Sequence, residues 1–157
     1  MTDPYRPLKD AFGKFATGIA VAACETPSGE FCALTVNSFT SVSLEPALVL
    51  WCLEAKAKTY PYFMEARSYS VSILPAEARD LSNRFAGHAP APLQADEYEV
   101  WDTGAPVLTS RIAGFDCSIH SRHIAGDHVV LVGEVVRFDS ATGSPLIYFA
   151  SQYHTEV

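Results

Sequence analysis

The chain has 157 residues, of which 48% are hydrophobic and 18% are charged, and its net charge is −7. This length fits one domain with a substantial core, so we expect a single domain over residues 1–157. The acidic balance leaves no basic face for nucleic-acid phosphates, and no apolar run approaches the roughly 20 residues that span a bilayer.

The first predicted element is an N-terminal helix. Asp3 is a good N-cap, and Pro4 suits the first helical position because its missing N–H costs nothing there. Leu8, Phe12 and Phe15 follow at helical spacing and form one apolar stripe. We therefore expect an amphipathic helix whose stripe faces a hydrophobic core.

Three apolar strands are predicted next. Residues 19–24 are almost continuously apolar, a turn cluster occupies 27–30, and 31–36 should return antiparallel as the second arm of a hairpin. Residues 47–53 have the continuous apolar character of a core strand. The first third of the chain thus predicts one helix followed by β structure.

The middle of the chain predicts two short helices around one strand. Thr59 or Tyr60 should cap the first helix, and 76–85 should form the second. Residues 69–74 between them alternate polar and apolar, which is typical of a half-buried strand. Residues 88–110 are rich in Pro and Ala with little periodicity, so we expect a surface excursion there.

The last third predicts only strands, at 114–119, 129–138 and 145–149. Many short strands with two or three helices favour an antiparallel, closed or partly closed barrel with helical plugs. The absence of a regular strand–helix alternation argues against a doubly wound sheet. The expected fold class is mainly β with a few helices.

The cysteine pattern indicates the compartment. Cys24, Cys32, Cys52 and Cys117 are widely spaced, form no CxxC pair and lie in apolar, strand-like contexts. We therefore expect small buried thiols that stay reduced. The N-terminus also lacks the apolar stretch of a secretory signal, so the expected localisation is cytoplasmic.

A hydroxyl-rich run at residues 35–46 is the most informative segment. Alternate residues of an extended segment share a face, so Thr35, Asn37, Phe39 and Ser41 should point one way. Donors and acceptors such as those of Asn37 suit the edge of a large heterocycle. The same pattern also fits an edge strand with solvated hydroxyls.

Two further segments carry candidate chemistry. Lys58 and Thr59 precede a predicted helix start, where free N–H groups favour a phosphate, although an exposed basic turn has the same pattern. Asp127 beside His128 can orient the imidazole in a turn, and a hairpin turn with a solvated histidine is the alternative. The three histidines at 120, 123 and 128 are spaced unlike zinc ligands, so we predict no metal site.

Several of these segments together resemble one known family. They are Phe15-Ala16-Thr17-Gly18, the 34–46 run, 69–74, 81–87, Gly126-Asp127-His128 and 133–135. In this order and at this spacing they are similar to the flavin reductases, small FMN-binding split-barrel proteins that supply reduced flavin to two-component monooxygenases. The resemblance implies a Greek-key, antiparallel split β-barrel.

The resemblance also implies where the flavin lies. It places the ring and ribityl chain along the 35–46 run, the phosphate after the next strand, and the distal part near the second helix. The implied cofactor-binding residues are Thr35, Asn37, Ser38, Ser41, Ser43, Cys52, Leu53, Lys58, Thr59, Arg84 and Phe85. Asp127 and His128 are implied on the side of the nicotinamide.

The implied activity is hydride transfer from NADH or NADPH to FMN or FAD, by a homodimer that passes reduced flavin to a separate monooxygenase. Such chemistry belongs to the cofactors, and the protein aligns them. Two alternatives stay open: a flavin-binding split-barrel module without dinucleotide turnover, and a related oxidase of a small amine. The sequence does not choose between FMN and FAD, or between NADH and NADPH.

Overall fold

A computed structural model describes residues 1–87 and 91–156. The three helices in those residues are α1 (Arg6–Phe12), α2 (Tyr60–Glu65) and α3 (Arg79–Phe85). The strands there are β1 (Thr17–Gly18), β2 (Ala20–Glu25), β3 (Phe31–Val36), β4 (Thr40–Leu44), β5 (Ala47–Glu54), β6 (Ser68–Ile73), β7 (Tyr98–Val100), β8 (Pro106–Leu108), β9 (Ala113–Ala125), β10 (His128–Ser140), β11 (Ile147–Phe149) and β12 (Gln152–His154).

The strands form one large antiparallel sheet and two small ones. Seven strands make the large sheet, in the order β3-β2-β6-β9-β10-β5-β4. β9 and β10 pair with two shifts in register, a feature that bends a sheet. Strands β1, β11 and β12 form the second sheet, and β7 pairs with β8. This mainly antiparallel β architecture confirms the predicted fold class.

Aromatic packing fills one face of the large sheet. Trp51 is fully buried and meets Phe63 and Tyr69 edge-on, at ring-centroid distances of 4.9 and 5.8 Å. The Tyr69 hydroxyl donates a hydrogen bond to the Leu131 carbonyl at 3.1 Å. Gly133 leaves room for this phenol, because an added Cβ would lie 2.7 Å from Tyr69 Cζ. The interior is therefore closely packed around the indole ring of Trp51.

A second cluster covers the other face of the same sheet. Val21 and Leu74 of the sheet region pack there with Phe85 of α3, Leu108 of β8 and Leu146. These side chains are all nearly inaccessible to solvent. α3 is thus fixed to the back of β2 and β3, directly beside the segment that the sequence singles out.

The N-terminal helix differs from the prediction in what it faces. α1 contains no buried residue, and Leu8, Phe12 and Phe15 are 52%, 69% and 80% exposed. Leu8 and Phe12 lie on α1, but Phe15 lies beyond its end, and the prediction that the stripe faces a core of this chain was wrong. The predicted N-cap was also wrong, because Tyr5 holds that position and the helix begins at Arg6, although the Asp3 carboxylate accepts the Tyr5 N–H just before it.

Two other local predictions were wrong because distant segments cover them. Ser70 and Ser72 of β6 are fully buried, so that strand is not half-buried. Ser70 donates to the Pro106 carbonyl, and Ser72 accepts from Leu108 N–H at 3.0 Å. Part of the expected surface excursion is therefore the β7–β8 hairpin that seals the sheet, while residues 88–90 lie outside the described residues.

Helix α3 is shorter than the predicted helix over residues 76–85. It begins at Arg79, because Pro75 bridges to Pro145 and Ala76 N–H bonds to the Ser144 carbonyl. None of the helices in the described part of the chain is long and apolar enough to cross a membrane.

Candidate functional site

Two cavities flank the end of β3. The first, called here the lysine cavity, has a volume of about 400 Å³ and lies between the loop after β5 and the end of α3. Its lining residues are Ala33, Leu34, Glu54, Lys56, Ala57, Lys58, Thr59, Phe85, Ala86, Gly87 and Ala91. Three of the predicted site residues, Lys58, Thr59 and Phe85, therefore meet in one place.

Thr59 gives the lysine cavity its polar centre. It occupies the N-cap of α2, but its hydroxyl makes no capping hydrogen bond. The Oγ1 atom is buried and has no partner in the protein, and the whole residue is only 5% exposed. A buried hydroxyl without a partner costs free energy, so an oxygen-rich ligand beside Lys58 would satisfy it. A phosphate group fits this donor set.

The second cavity, called here the asparagine cavity, has a volume of about 280 Å³. Its lining residues are Phe15, Ala16, Thr17, Gly18, Ile19, Ala20, Val36, Asn37, Phe39, Thr40 and Ile73. Thr17 Oγ1 is buried here without a hydrogen-bond partner. Sequence reasoning missed Thr17 as a site residue, although it lies within the Phe-Ala-Thr-Gly segment that carries part of the family resemblance.

Ser38 joins the hydroxyl-rich run to the neighbouring strand. Its Oγ accepts the Cys52 N–H at 2.9 Å and donates to the Cys52 carbonyl at 3.3 Å. Leu53, a predicted contact, is fully buried and offers no accessible surface to a ligand. Partial burial raises the pKa of the Cys52 thiol. Ser38 therefore fixes the position of the hydroxyl-rich run against β5.

The run is not one extended strand. β3 ends at Val36 and β4 begins at Thr40, so the face-sharing predicted from Thr35 through Asn37 and Phe39 to Ser41 does not hold. Thr35 Oγ1 instead donates to the Ser82 carbonyl of α3 at 2.6 Å. Phe39 packs against Phe115, with ring centroids 5.4 Å apart. The physical reason is the bend at 37–39, where backbone pairing stops.

Ser41 and Ser43 lie on the outer edge of the large sheet. They pair with Val49 and Leu48 of β5, and a register irregularity separates them. β4 is the last strand in the order of the large sheet. Ser41 is exposed and Ser43 is half-buried, and neither lines the lysine cavity.

Arg84 and Phe85 are in contact at the end of α3, where the Arg84 guanidinium lies 4.6 Å from the centroid of the Phe85 ring. Both terminal nitrogens of Arg84 donate to the Glu97 carboxylate, at 2.6 Å each. This hydrogen bond lowers the pKa of Glu97 and raises that of Arg84. Phe85 is 3% exposed and lines the lysine cavity. The guanidinium is therefore engaged within the protein, whereas the phenyl ring belongs to the site.

The turn at 126–128 lies next to the lysine cavity. Gly126 has a φ of +63°, which favours glycine, and the Ala55 N–H donates to the Asp127 carbonyl. His128 Nδ1 lies 2.7 Å from the Asp127 carboxylate, and this hydrogen bond lowers the pKa of Asp127. His128 also pairs with Glu54, a residue of the cavity lining.

The aspartate fixes the orientation of this histidine. A carboxylate only accepts, so the Nδ1 position donates and Nε2 faces outward. His123 is placed differently, because its Nε2 bonds to Ser121 Oγ at 2.8 Å. Within 1–87 and 91–156, no group of three or more His, Cys, Asp or Glu is arranged to hold a metal ion.

Comparison with known proteins identifies the family. Residues 12–156 match the model of the flavin reductase like domain. The NADH-dependent FMN reductase SmoA of Agrobacterium fabrum is 40% identical over 143 residues, which cover 91% of this chain and 81% of the relative. The reductase component of a flavin-dependent trigonelline monooxygenase from Acinetobacter baylyi is 35% identical over 150 residues.

These relatives differ in length. The match to the Acinetobacter protein covers 96% of this chain but only 48% of that relative, so the chain spans about half of it. Among solved structures, an NADH:FAD oxidoreductase of Streptomyces globisporus in complex with NAD and FAD fragments superposes with a TM-score of 0.90. It is 28% identical, and the match covers all of this chain and 96% of that one.

Proposed function

This chain belongs to the flavin reductase family, and we propose that it transfers hydride from NADH or NADPH to FMN or FAD. It is an NAD(P)H-dependent flavin reductase with the split-barrel fold. The observation that carries the proposal is the pair of cavities at the end of β3, each containing a buried hydroxyl without a partner. Thr17 and Thr59 supply those hydroxyls.

One elongated ligand accounts for both cavities. Leu34 lines the first and Asn37 the second, and three residues of extended chain span at most about 11 Å. The phosphate of the flavin lies at Lys58 and Thr59, and the heterocycle lies toward Asn37, whose amide both donates and accepts. Ser41 and Ser43 extend the polar lining along the sheet edge.

The protein positions the two cofactors, and the cofactors react. The flavin would supply the hydride acceptor and the dinucleotide the hydride donor once both are bound. Holding the two rings in contact supplies on the order of 7 kcal/mol through orientation at best. Asp127 holds the tautomer of His128, and His128 presents Nε2 to the dinucleotide beside the lysine cavity. No protein nucleophile is required for this reaction.

The active form is a homodimer in the cytoplasm. Leu8, Phe12 and Phe15 form an apolar stripe that this chain leaves exposed, and a second copy would cover it. The four cysteines of the chain are all free thiols, as a reducing compartment requires. Sedimentation of the protein as a monomer at micromolar concentration would contradict the dimer.

The product serves a separate enzyme. The Acinetobacter relative is a reductase component of a two-component monooxygenase, and the same arrangement applies here: reduced flavin leaves this protein and is used by an oxygenase. The residue 1–157 unit acts as one reductase domain. Which substrate the oxygenase attacks is decided by that partner, not by this chain.

Anaerobic reduction tests the activity. The protein is mixed with FMN or FAD and then with NADH or NADPH, and the absorbance of oxidised flavin is followed by stopped flow. We expect bleaching with at least one flavin and one nucleotide. A flavin that binds but is not bleached by either nucleotide would indicate the alternative, a flavin-binding module without turnover.

His128→Ala sharpens the same experiment. We expect the rate of flavin reduction, or the affinity for the dinucleotide, to fall about tenfold or more, equivalent to about 1.4 kcal/mol. The dissociation constant of the flavin should change little, because the ring contacts lie elsewhere. His123→Ala is the matched control, since that imidazole bonds only to Ser121 in the described structure. Wild-type reduction kinetics in His128→Ala would remove this residue from the site.

A further inference from the structure

Two cysteines that the hydride-transfer reaction does not use face each other across a pair of strands. Cys24 of β2 and Cys32 of β3 are directly opposed in the hairpin register. Their Sγ atoms are 3.4 Å apart, and both residues are free thiols in the interior. They are 0% and 5% exposed.

The strand register of the pair is compatible with a disulfide. Opposed residues in antiparallel strands have Cα atoms about 4.5–5.5 Å apart, which lies inside the range of about 4.4–6.8 Å for disulfides. A covalent bond requires the two sulfurs to approach each other to about 2 Å. β3 is an edge strand of the large sheet, and the pair lies close to its turn, so this approach needs only a local adjustment.

The two thiols are not equivalent. The hydrogen bond from Cys24 lowers the pKa of Cys32, while the same contact and burial raise the pKa of Cys24. Cys32 also lines a cavity of about 480 Å³ beside the hairpin turn, together with Gly29, Glu30 and Phe31. Of the two opposed thiols, Cys32 is thus the one that a small oxidant reaches first.

The remaining cysteines are poorer nucleophiles. Burial, assisted by the charge of Asp116, raises the pKa of Cys117 to about 12. Burial alone raises the pKa of Cys52. Thiolate is the reactive form of cysteine, so a dilute oxidant should discriminate between the opposed pair and these two single thiols.

We propose that Cys24 and Cys32 form a reversible disulfide when the protein meets hydrogen peroxide. The Cys32 thiolate attacks one peroxide oxygen, the O–O bond breaks, hydroxide leaves, and Cys32 becomes a sulfenic acid. Cys24 Sγ then attacks that sulfur, and the hydroxyl leaves as water. In total two thiols lose two electrons and two protons, and peroxide is reduced to two molecules of water.

The source of the peroxide rests on the proposed function. Reduced flavin that escapes its oxygenase returns two electrons to dioxygen and yields hydrogen peroxide. The reductase therefore generates the oxidant near its own dithiol whenever turnover is uncoupled. Closing the disulfide ties the edge strand β3 to β2, a few residues before Thr35 at the start of the hydroxyl-rich run.

The test is peptide mapping of the wild-type protein under two conditions. In one, reduced protein receives dilute hydrogen peroxide without flavin or nucleotide. In the other, it turns over NADH and flavin in air, with and without catalase. After free thiols are blocked, digestion without reductant is expected to yield a linked peptide containing Cys24 and Cys32, which separates on adding dithiothreitol.

Each condition decides a different point. No Cys24–Cys32 link after direct peroxide treatment would overturn the disulfide itself, whatever the protein catalyses. A link with peroxide but none during measured NADH oxidation would overturn the turnover source only. If no NADH is oxidised, the proposed function fails while the peroxide condition still decides the disulfide.

Matched variants identify the attacking sulfur. Cys24→Ser should stop at a Cys32 sulfenic acid that a cyclic 1,3-dione traps, whereas the Cys52→Ser, Cys117→Ser double variant should form the link like the wild type. Labelling of Cys52 or Cys117 in preference to Cys32 would overturn the assigned order. The wild-type map does not depend on any of these variants folding.

Discussion

Buried hydroxyl groups have hydrogen-bond partners in the packed interior but lack them at the rim near the end of β3. Inside, the Tyr69 hydroxyl donates to the Leu131 carbonyl, and Ser70 and Ser72 bond to the β8 region. At the rim, the hydroxyls of Thr17 and Thr59 are buried without any protein partner. The first set stabilises the fold, whereas under the proposed function a bound ligand would supply the partners that the second set lacks.

The comparison depends on shape as well as hydrogen bonding. Trp51 Nε1 is also buried without a partner, but its indole is enclosed by the rings of Phe63 and Tyr69. The two threonines instead line cavities of about 280 and 400 Å³. An unpartnered polar atom indicates a binding site when space for the missing partner lies beside it.

The largest effect is expected from filling the interior. Gly133→Val should lower the free energy of unfolding by about 3 kcal/mol, because the new side chain overlaps the Tyr69 phenol and Cys117. Urea denaturation followed by Trp fluorescence measures this. Gly18→Ala is the control, since nothing lies within 4 Å of its added Cβ. Equal stability of the two variants would show that the interior is not closely packed.

A pair of hydroxyl deletions tests the comparison directly. Tyr69→Phe should cost about 1 kcal/mol of stability and leave the dissociation constant of FMN unchanged. Thr59→Val should do the reverse: unchanged or slightly higher stability, and FMN binding weakened about tenfold, or 1.4 kcal/mol.

Riboflavin, which lacks the phosphate, is the control ligand for that pair. Thr59→Val and Lys58→Ala should both bind riboflavin as the wild type does, so the preference for FMN should shrink. If both ligands lose affinity equally, Thr59 supports the shape of the site but does not contact the phosphate. Fluorescence quenching titrations with the two flavins measure each constant.

The sequence predicts an element of this structure well when the interactions that form it are local along the chain. The hairpin of β2 and β3 and the core strand β5 were predicted closely, because their apolar runs and turn residues are local signals. The β7–β8 hairpin was missed, because its burial depends on contacts with β6 that lie more than thirty residues away.

The structure brings only some of the predicted site residues together, for the same reason. Lys58, Thr59 and Phe85 do share a cavity, as the family resemblance implies. The pairing of Arg84 with Glu97 was not foreseen, since the partner lies in a segment without periodicity. Thr17 was missed because a solvated and an unpartnered buried hydroxyl look identical in a sequence.

The smallest expected effect concerns the ion pair on the outer side of α3. Arg84 lowers the pKa of Glu97, so the pair contributes stability above the ordinary glutamate pKa, and this is lost as pH falls through the lowered folded value. Both side chains are partly exposed, which limits the contribution to less than about 1 kcal/mol. The stability difference between the wild type and Glu97→Gln should therefore shrink as pH falls below the ordinary glutamate pKa and vanish below the lowered folded pKa of Glu97.

Glu99→Gln provides a comparison for that titration, because Glu99 pairs with Arg111 and not with α3. It should leave the affinity for flavin unchanged. If Glu97→Gln loses as much FMN affinity as Thr59→Val, the outer side of α3 belongs to the binding site. The division between a structural Arg84 and a ligand-facing Phe85 would then be incorrect.

A crystal structure of the protein with FMN tests the central claim most directly. The expected result is a phosphate within hydrogen-bond distance of Thr59 Oγ1 and close to Lys58 Nζ, with the heterocycle toward Asn37. A flavin bound away from both cavities, with the Thr59 hydroxyl still unpartnered, would contradict the site as described.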